Sequence, residues 1–305
     1  MARRRRDIPS IVTRCCRNER IRGAISLNSR LTASQAIRIT PPRRWPELAL
    51  GEVWAHRELV WFLVWRDLKV RYKQTVLGVA WALVQPLVTV IIFTVIFGRL
   101  AGLPSENVPY PVLALSGILP WQLFSSAVAG SSNSLVGSAN LLTKVYFPRL
   151  IIPIAAVVGT LVDFSVSVAL LAGMMTWYGV VPTAGIVFLP IVILLALLLA
   201  LAIGLWTSSL NVQYRDVQYV LPFALQMLLF LSPVAYSATL VPDGWLRIAF
   251  SLNPLAGIIQ SFRWALFGTP FAPTALAVSA AVMVALLVGG LFYFKRMEET
   301  FADVI

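Results

Sequence analysis

Six apolar runs, near residues 75–98, 112–136, 150–178, 184–210, 217–238 and 274–294, set the limits on what this chain of 305 residues can become. Each is long enough to cross roughly 30 Å of hydrocarbon, for which a helix needs about 20 residues. Inside a bilayer the backbone must satisfy its own hydrogen bonds, so only helices and closed barrels span it. Barrel strands need only about 10 residues, and these runs of Leu, Ile, Val and Ala are far longer. The expected fold class is therefore an all-α integral membrane protein with six transmembrane helices. Composition agrees: 58% of residues are hydrophobic and 12% charged, half the charged share of about 25% in soluble domains.

The formal charge of +12 is distributed as a membrane topology signal. Of 25 Lys and Arg, 17 precede residue 76. With the N-terminus inside, 22 fall on the cytoplasmic side, and Arg99, Arg247 and Arg263 on the other. The positive-inside rule then puts both termini in the cytoplasm. A nucleic-acid partner is not expected, because a basic patch needs a soluble domain to carry it. Cys15 and Cys16 are adjacent and His56 is the single histidine, which excludes a disulfide scaffold or a zinc or haem site by count. Residues 1–45 form a basic leader, expected to be disordered; its Arg-rich, acid-poor composition also suits a transit peptide or a start codon placed too far upstream.

From Pro46 to Val64, charges interrupt Trp54, Leu59, Trp61, Phe62 and Val64. The segment suits an interfacial helix or a soluble helix packed on a partner. It leads into Arg66-Asp67-Leu68-Lys69-Val70-Arg71-Tyr72-Lys73 and then, through Leu77-Gly78 and Trp81, into Gln85-Pro86. This is the seam between the charged face and the membrane. The second run carries Ser125, Ser126, Gly130, Ser131, Ser132, Asn133, Ser134, Gly137 and Ser138, which serve either close helix packing or the polar wall of a conduit.

Residues 139–149 supply a short cytoplasmic helix, with Asn140 as cap, Leu141, Leu142 and Val145 on one face and Pro148 as terminator. In the 239–270 region two short helices dip in from the external side or lie on the lipid surface. Asn253 caps the second, with Pro254 at its first position.

Chemistry is sparse. No GxxxxGK[ST] phosphate loop occurs, so no usual ATP hydrolysis is expected on this chain. Asp163 is the only acid well inside a run; it must face protein or water, either as a structural hydrogen-bonding group with Ser165 and Ser167 nearby or as part of a conduit. Arg215-Asp216 leaves the fourth run as a solvated turn or a structural ion pair. Trp121, Phe124, Trp177, Tyr178, Tyr236, Trp245, Trp264 and Phe267 cluster towards the external side. They form an interfacial belt, or some of them, with Tyr236, Trp121, Phe124 and Trp264 as candidates, line a channel where flat rings stack on sugars.

These segments together resemble the membrane subunit of bacterial polysaccharide exporters, the ABC type-2 family that handles O-antigen, capsule and teichoic-acid polymers. The resemblance is carried by the 66–86 motif, Tyr146-Phe147-Pro148-Arg149, Tyr214-Arg215-Asp216, Ser232-Pro233-Val234-Ala235-Tyr236 and Leu252-Asn253-Pro254-Leu255 with Arg263. It implies a transmembrane domain over 46–305, in a homodimer joined to two copies of a separate cytoplasmic ATPase that holds ATP and Mg, in a bacterial cytoplasmic membrane. No cofactor is expected on this chain. By the resemblance, Asn140, Leu141, Leu142, Lys144, Val145 and Tyr146 couple to the ATPase. Arg66, Lys69, Arg71, Tyr72 and Lys73 form a gate that meets the pyrophosphate of a polyprenyl-linked polysaccharide, unless these charges only obey the positive-inside rule. Asp163, Arg215, Asp216, Asn253 and Pro254 are expected to be structural. Export of a lipid or drug, or a channel or glycosyltransferase scaffold outside the ABC class, are the alternatives.

Overall fold

The computed structural model describes residues 50–73, 80–102, 104, 108–142, 144, 147–236, 250, 252–270, 273–298 and 301. The basic leader of residues 1–45 lies outside them. The described residues are helical, without strands. In chain order the helices are α1 (Leu50–Ala55), α2 (Arg57–Lys73), α3 (Ala80–Phe93), α4 (Tyr110–Gly137), α5 (Ala139–Leu142), α6 (Ile151–Trp177), α7 (Leu189–Gln213), α8 (Val217–Leu231), α9 (Pro254–Phe267) and α10 (Pro273–Glu298). A π-helical segment, Thr94–Leu100, extends α3, and a 3-10 turn, Ala184–Phe188, leads into α7.

Five helical stretches are long and apolar enough to cross a membrane: Ala80–Leu100, Tyr110–Gly137, Ile151–Trp177, Ala184–Gln213 and Pro273–Glu298. The fifth expected span, 217–238, is shorter than its apolar run. Helix α8 stops at Leu231, after 15 residues, roughly 22 Å at 1.5 Å per residue. Ser232 takes extended backbone, as a residue before proline does because the Pro233 ring crowds the helical conformation. The chain then turns through 232–236. Of α8 itself only Leu221 is buried.

Helix α4 is the central element and packs against α6, α7, α9 and α3. Its small residues make that possible. Ser116, Ser131 and Ser132 are fully buried, and a Cβ at Gly204 of α7 would overlap Ser131. Close approach of this kind replaces the hydrophobic drive that lipid cannot supply. Asn211 of α7 donates to the Ser132 carbonyl at 3.0 Å and to Asn133 at 3.2 Å. Ser131 and Ser132 of the small-residue stripe are therefore packing surface, whereas Ser126, Asn133 and Gly137 are exposed.

Helix α9 has Leu255, Ile258, Ile259, Phe262 and Leu266 buried and is in contact with α4, α7 and α10. That satisfies the condition for short helices at membrane depth, namely burial in protein. The other short helix expected before it falls on 237–249, outside the described residues. As the sequence predicts, Asn253 caps α9 by accepting from the Leu255 N–H at 3.0 Å, with Pro254 at its first turn. The Asn253 amide also donates to Ser232 Oγ at 3.0 Å, which ties the start of α9 to the end of α8.

Arg263, only 3% exposed, holds this region together. Its guanidinium donates to the carbonyls of Val234 and Tyr236 at 2.9 Å each, and to the Leu113 carbonyl and Ser116 Oγ at 3.4 Å. Tyr110 adds a bond to the Ala235 carbonyl at 2.7 Å. The turn of 234–236 is thus pinned to α4 and α9. Gly117 is required at the crossing, because a Cβ there would overlap the Val234 carbonyl and come within 2.7 Å of Arg263 Nη2.

Arg263→Leu should leave buried carbonyls unbonded at about 1–3 kcal/mol each. It should lower the melting temperature of the detergent-solubilised protein by more than Lys73→Leu, a change at an exposed site. Equal shifts for the two would show that Arg263 does not hold the turn.

Candidate functional site

The interfacial segment and the expected gate are not separate pieces. They are largely one helix, α2, which runs alongside the first half of α6. Near its middle Leu63 and Val64 are buried with Phe147, Ile151, Ile152 and Ala155. At its end Arg71 forms an ion pair with the Asp163 carboxylate, and the Tyr72 hydroxyl donates to the same carboxylate. Asp163 lies roughly 18 Å along α6 from Ile151 at 1.5 Å per residue, so the C-terminal turn of α2 reaches the middle of the third span.

This corrects the expected surroundings of Asp163. Ser165 donates to the Val162 carbonyl at 2.7 Å, and Ser167 to the backbone carbonyl of Asp163 at 3.1 Å. Neither uses the carboxylate. Serines in helices commonly bond back to the preceding turn, which leaves the charge to a partner from another element.

Beside the pair lies a pocket of about 220 Å³ between α2, α3, α4 and α6. Its polar wall includes Gln85, Gln122, Ser126, Thr160 and Ser167, and Tyr72, Trp81 and Phe164 are its aromatic members. Gln122 Oε1 is shut off from solvent and has no hydrogen-bond partner among the described residues.

The other gate residues point elsewhere. Arg66 is bonded to its neighbour Asp67 at 2.8–2.9 Å. The Lys69 ammonium sits over the Trp65 ring at 5.3 Å from its centroid, and Lys73 is exposed. Lys69 and Lys73 share the exposed side of α2 with Trp61 (68% exposed), Phe62 and Trp65. Aromatic bodies with cationic tips are typical of a membrane–water boundary.

The expected coupling helix is shorter than its pattern. Helix α5 spans Ala139–Leu142, and Asn140 lies within it rather than capping it. The Ser138 carbonyl at the end of α4 accepts from Leu141 and Leu142 at 2.9 and 3.1 Å, so α4 leads into α5 after a single residue. Leu141 and Leu142 are half-buried against the Leu63 and Phe147 cluster, and Lys144 is exposed. Val145 and Tyr146 lie outside the described residues. Arg149 bonds the Glu298 carbonyl, and Lys295 pairs with the Glu298 carboxylate at 2.6 Å, which links the end of this loop to α10. Arg215 and Asp216 are both exposed in the turn between α7 and α8.

The channel aromatics expected from the sequence have other surroundings. Phe124 is 1% exposed in the core, with Trp121 tilted against it at 6.0 Å, and it faces no opening. Trp264 packs on Phe188 at 5.6 Å, and the Tyr236 hydroxyl donates to the Phe230 carbonyl at 3.4 Å. Among the aromatics left bare are Tyr219, Phe223 and Phe230 on α8. Their spacing of four and seven residues is a helical face, a signal readable in the sequence but overlooked there because these residues lie away from the external cluster.

The sequence profile of the ABC-2 type transporter family matches residues 58–267, from the start of α2 to the end of α9. The chain belongs to the ABC-2 type transporter family. This ABC-2 chain is 34% identical over 262 residues to the O-antigen export system permease protein RfbA of Myxococcus xanthus, covering 83% of its own length and 98% of that protein. It is 26% identical to RfbA of Klebsiella pneumoniae, with 79% and 92% covered. Against the polysialic acid transport protein KpsM of Escherichia coli the identity is again 26%, with 77% and 91% covered. The ABC-2 domain thus contains the Arg71–Asp163 pair, the pocket and the Arg263 turn.

Charge removal should test the pair. Arg71→Leu or Asp163→Leu alone leaves a charge uncompensated at membrane depth. Each should lower the melting temperature of the solubilised protein by about 2–5 °C, on the scale of 1 kcal/mol per 2–4 °C. The double variant should recover most of that loss. Additive losses would mean that the two side chains act independently.

Proposed function

We propose that this chain is the membrane subunit of an ATP-driven exporter that moves a polyprenyl-pyrophosphate-linked polysaccharide outwards across a bacterial cytoplasmic membrane. The observation that carries the reading is its similarity to O-antigen and polysialic acid permeases over more than nine tenths of their lengths. With no phosphate-cradling loop in this sequence, ATP and Mg belong to a separate cytoplasmic subunit. Two copies of that subunit serve a homodimer of this chain, whose termini both lie in the cytoplasm.

In this reading the exposed faces of α3 and α8 meet the second copy. Ile91 and Ile92 on α3 and Tyr219, Phe223 and Phe230 on α8 are large apolar groups left uncovered by the single chain, and the α8 aromatics give the polymer a stacking surface. The α5 segment and the residues after it, up to Tyr146, receive the ATPase. Lys69 and Lys73, with Arg66 beside them, attract the pyrophosphate at the mouth. Arg71 and Tyr72 hold the gate helix on α6 through Asp163, so a movement of α2 reaches the membrane interior.

Gentle solubilisation and capture on a C-terminal tag should bring down a stoichiometric ATP-hydrolysing subunit. Its absence, where a control ABC complex survives, would overturn the exporter reading. Lys69→Glu with Lys73→Glu should lower polymer export by about tenfold while the complex still assembles, since charge reversal converts attraction of phosphate into repulsion. Unchanged export would remove these lysines from the gate.

A further inference from the structure

We propose that the pocket between α2, α3, α4 and α6 is a subsite for one uncharged sugar ring of the exported glycan. The inference rests on the exporter reading and adds to it the chemistry of a recognised unit.

Charge is the first argument. The fixed charges in the lining, Arg71 and Asp163, are bonded to each other, so the wall is neutral overall. An entering phosphate would meet the Asp163 carboxylate, and an entering ammonium group would meet the Arg71 guanidinium. A ligand without charge meets neither penalty.

Hydrogen-bonding capacity narrows the class further. The Thr160 hydroxyl donates to the Val157 carbonyl at 2.7 Å, and Ser167 to the Asp163 carbonyl at 3.1 Å. Both have committed their protons and keep only lone pairs to offer. Gln122 Oε1 is a buried acceptor with no partner among the described residues, a costly arrangement that a turn of the amide towards the pocket relieves once an occupant supplies a donor. With the amides of Gln85 and Gln122 and the Ser126 hydroxyl, the wall offers donors as well as acceptors and suits a ligand that brings several O–H groups, each able to do both. A sugar ring does so, whereas a phosphodiester brings acceptors alone.

Shape completes the match. Trp81 lines the pocket and is 55% exposed, so its flat apolar face is open to the C–H face of a pyranose. Leu119, Leu123 and Phe164 form a buried apolar floor. The volume of about 220 Å³ admits a single ring with its hydroxyls and not a folded stretch of polymer. The location matters as well: the site shares Arg71 and Tyr72 with the end of the gate helix, so an occupant is in contact with the element expected to move.

The test uses the complete complex in cells that make the lipid-linked glycan, with p-benzoylphenylalanine placed at Ser126, which is exposed on the pocket rim, or at Trp65, an exposed aromatic on the gate helix. Irradiation should attach carbohydrate at Ser126, identified as glycosyl residues by mass spectrometry of the digested adduct. Adding Gln122→Leu should reduce that adduct roughly tenfold, the order of one lost hydrogen bond, and leave the Trp65 adduct unchanged; Gln122→Asn should keep part of it. Capture at Trp65 with none at Ser126, or only phospholipid or polyprenyl at Ser126, would overturn the sugar subsite and leave the exporter reading standing. A Ser126 adduct indifferent to Gln122→Leu would also overturn it. Carbohydrate at neither position, in cells shown to hold the lipid-linked glycan, would remove both readings.

Discussion

A charge in hydrocarbon must be matched by protein, and the pairing of Arg71 with Asp163 is where this chain meets that requirement with the largest structural consequence. Asp163 sits near the middle of α6, where an unmatched carboxylate costs several kcal/mol on any scale. Its partners come from α2, a helix whose other half lies with the cluster of Leu63, Val64, Phe147 and Ile151. The pair thus draws one end of an otherwise peripheral helix alongside a transmembrane span. The pocket exists because that end is held there, since Arg71 and Tyr72 form part of its wall.

Arg263 meets the same requirement differently. Its guanidinium is spent on the carbonyls of Leu113, Val234 and Tyr236 and on Ser116. A planar group with five donors is suited to gathering scattered acceptors. The chain can leave helical structure after Leu231 inside the fold because the freed carbonyls find this donor. A pinned turn on one side and a tethered helix on the other bracket α4, whose buried serines and contact with Gly204 pack it closely. Helices α2 and α8 by contrast bury few of their residues.

Much of the architecture was legible in the sequence, because apolar length alone decides whether a helix can span. The α9 start was legible too, since Asn253-Pro254 is a local signal that needs no tertiary context. Boundaries failed where a local rule competed with hydropathy: the apolar run from Val217 continues past Leu231, but Ser232-Pro233 ends the helix. Asn140 failed as a cap because α4 continues almost directly into α5 and the Ser138 carbonyl takes that role. Phe124 was missed for a different reason. Burial of Phe124 depends on which face of α4 meets the core, and a helix apolar all round gives no moment from which to read that.

What the sequence determined by itself is therefore the membrane-spanning helical class, the approximate spans, and the motifs that led to the ABC-2 family. These follow from composition and from interactions a few residues apart. Only the tertiary structure decided that Asp163 bonds to residues 91 and 92 positions away, that Arg263 gathers carbonyls from α4 and the 234–236 turn, and that Gln122 is left as a buried acceptor beside Trp81. Such contacts depend on how helices are rotated against one another, and that rotation is fixed by side-chain packing along whole helices and carries no local mark in the chain.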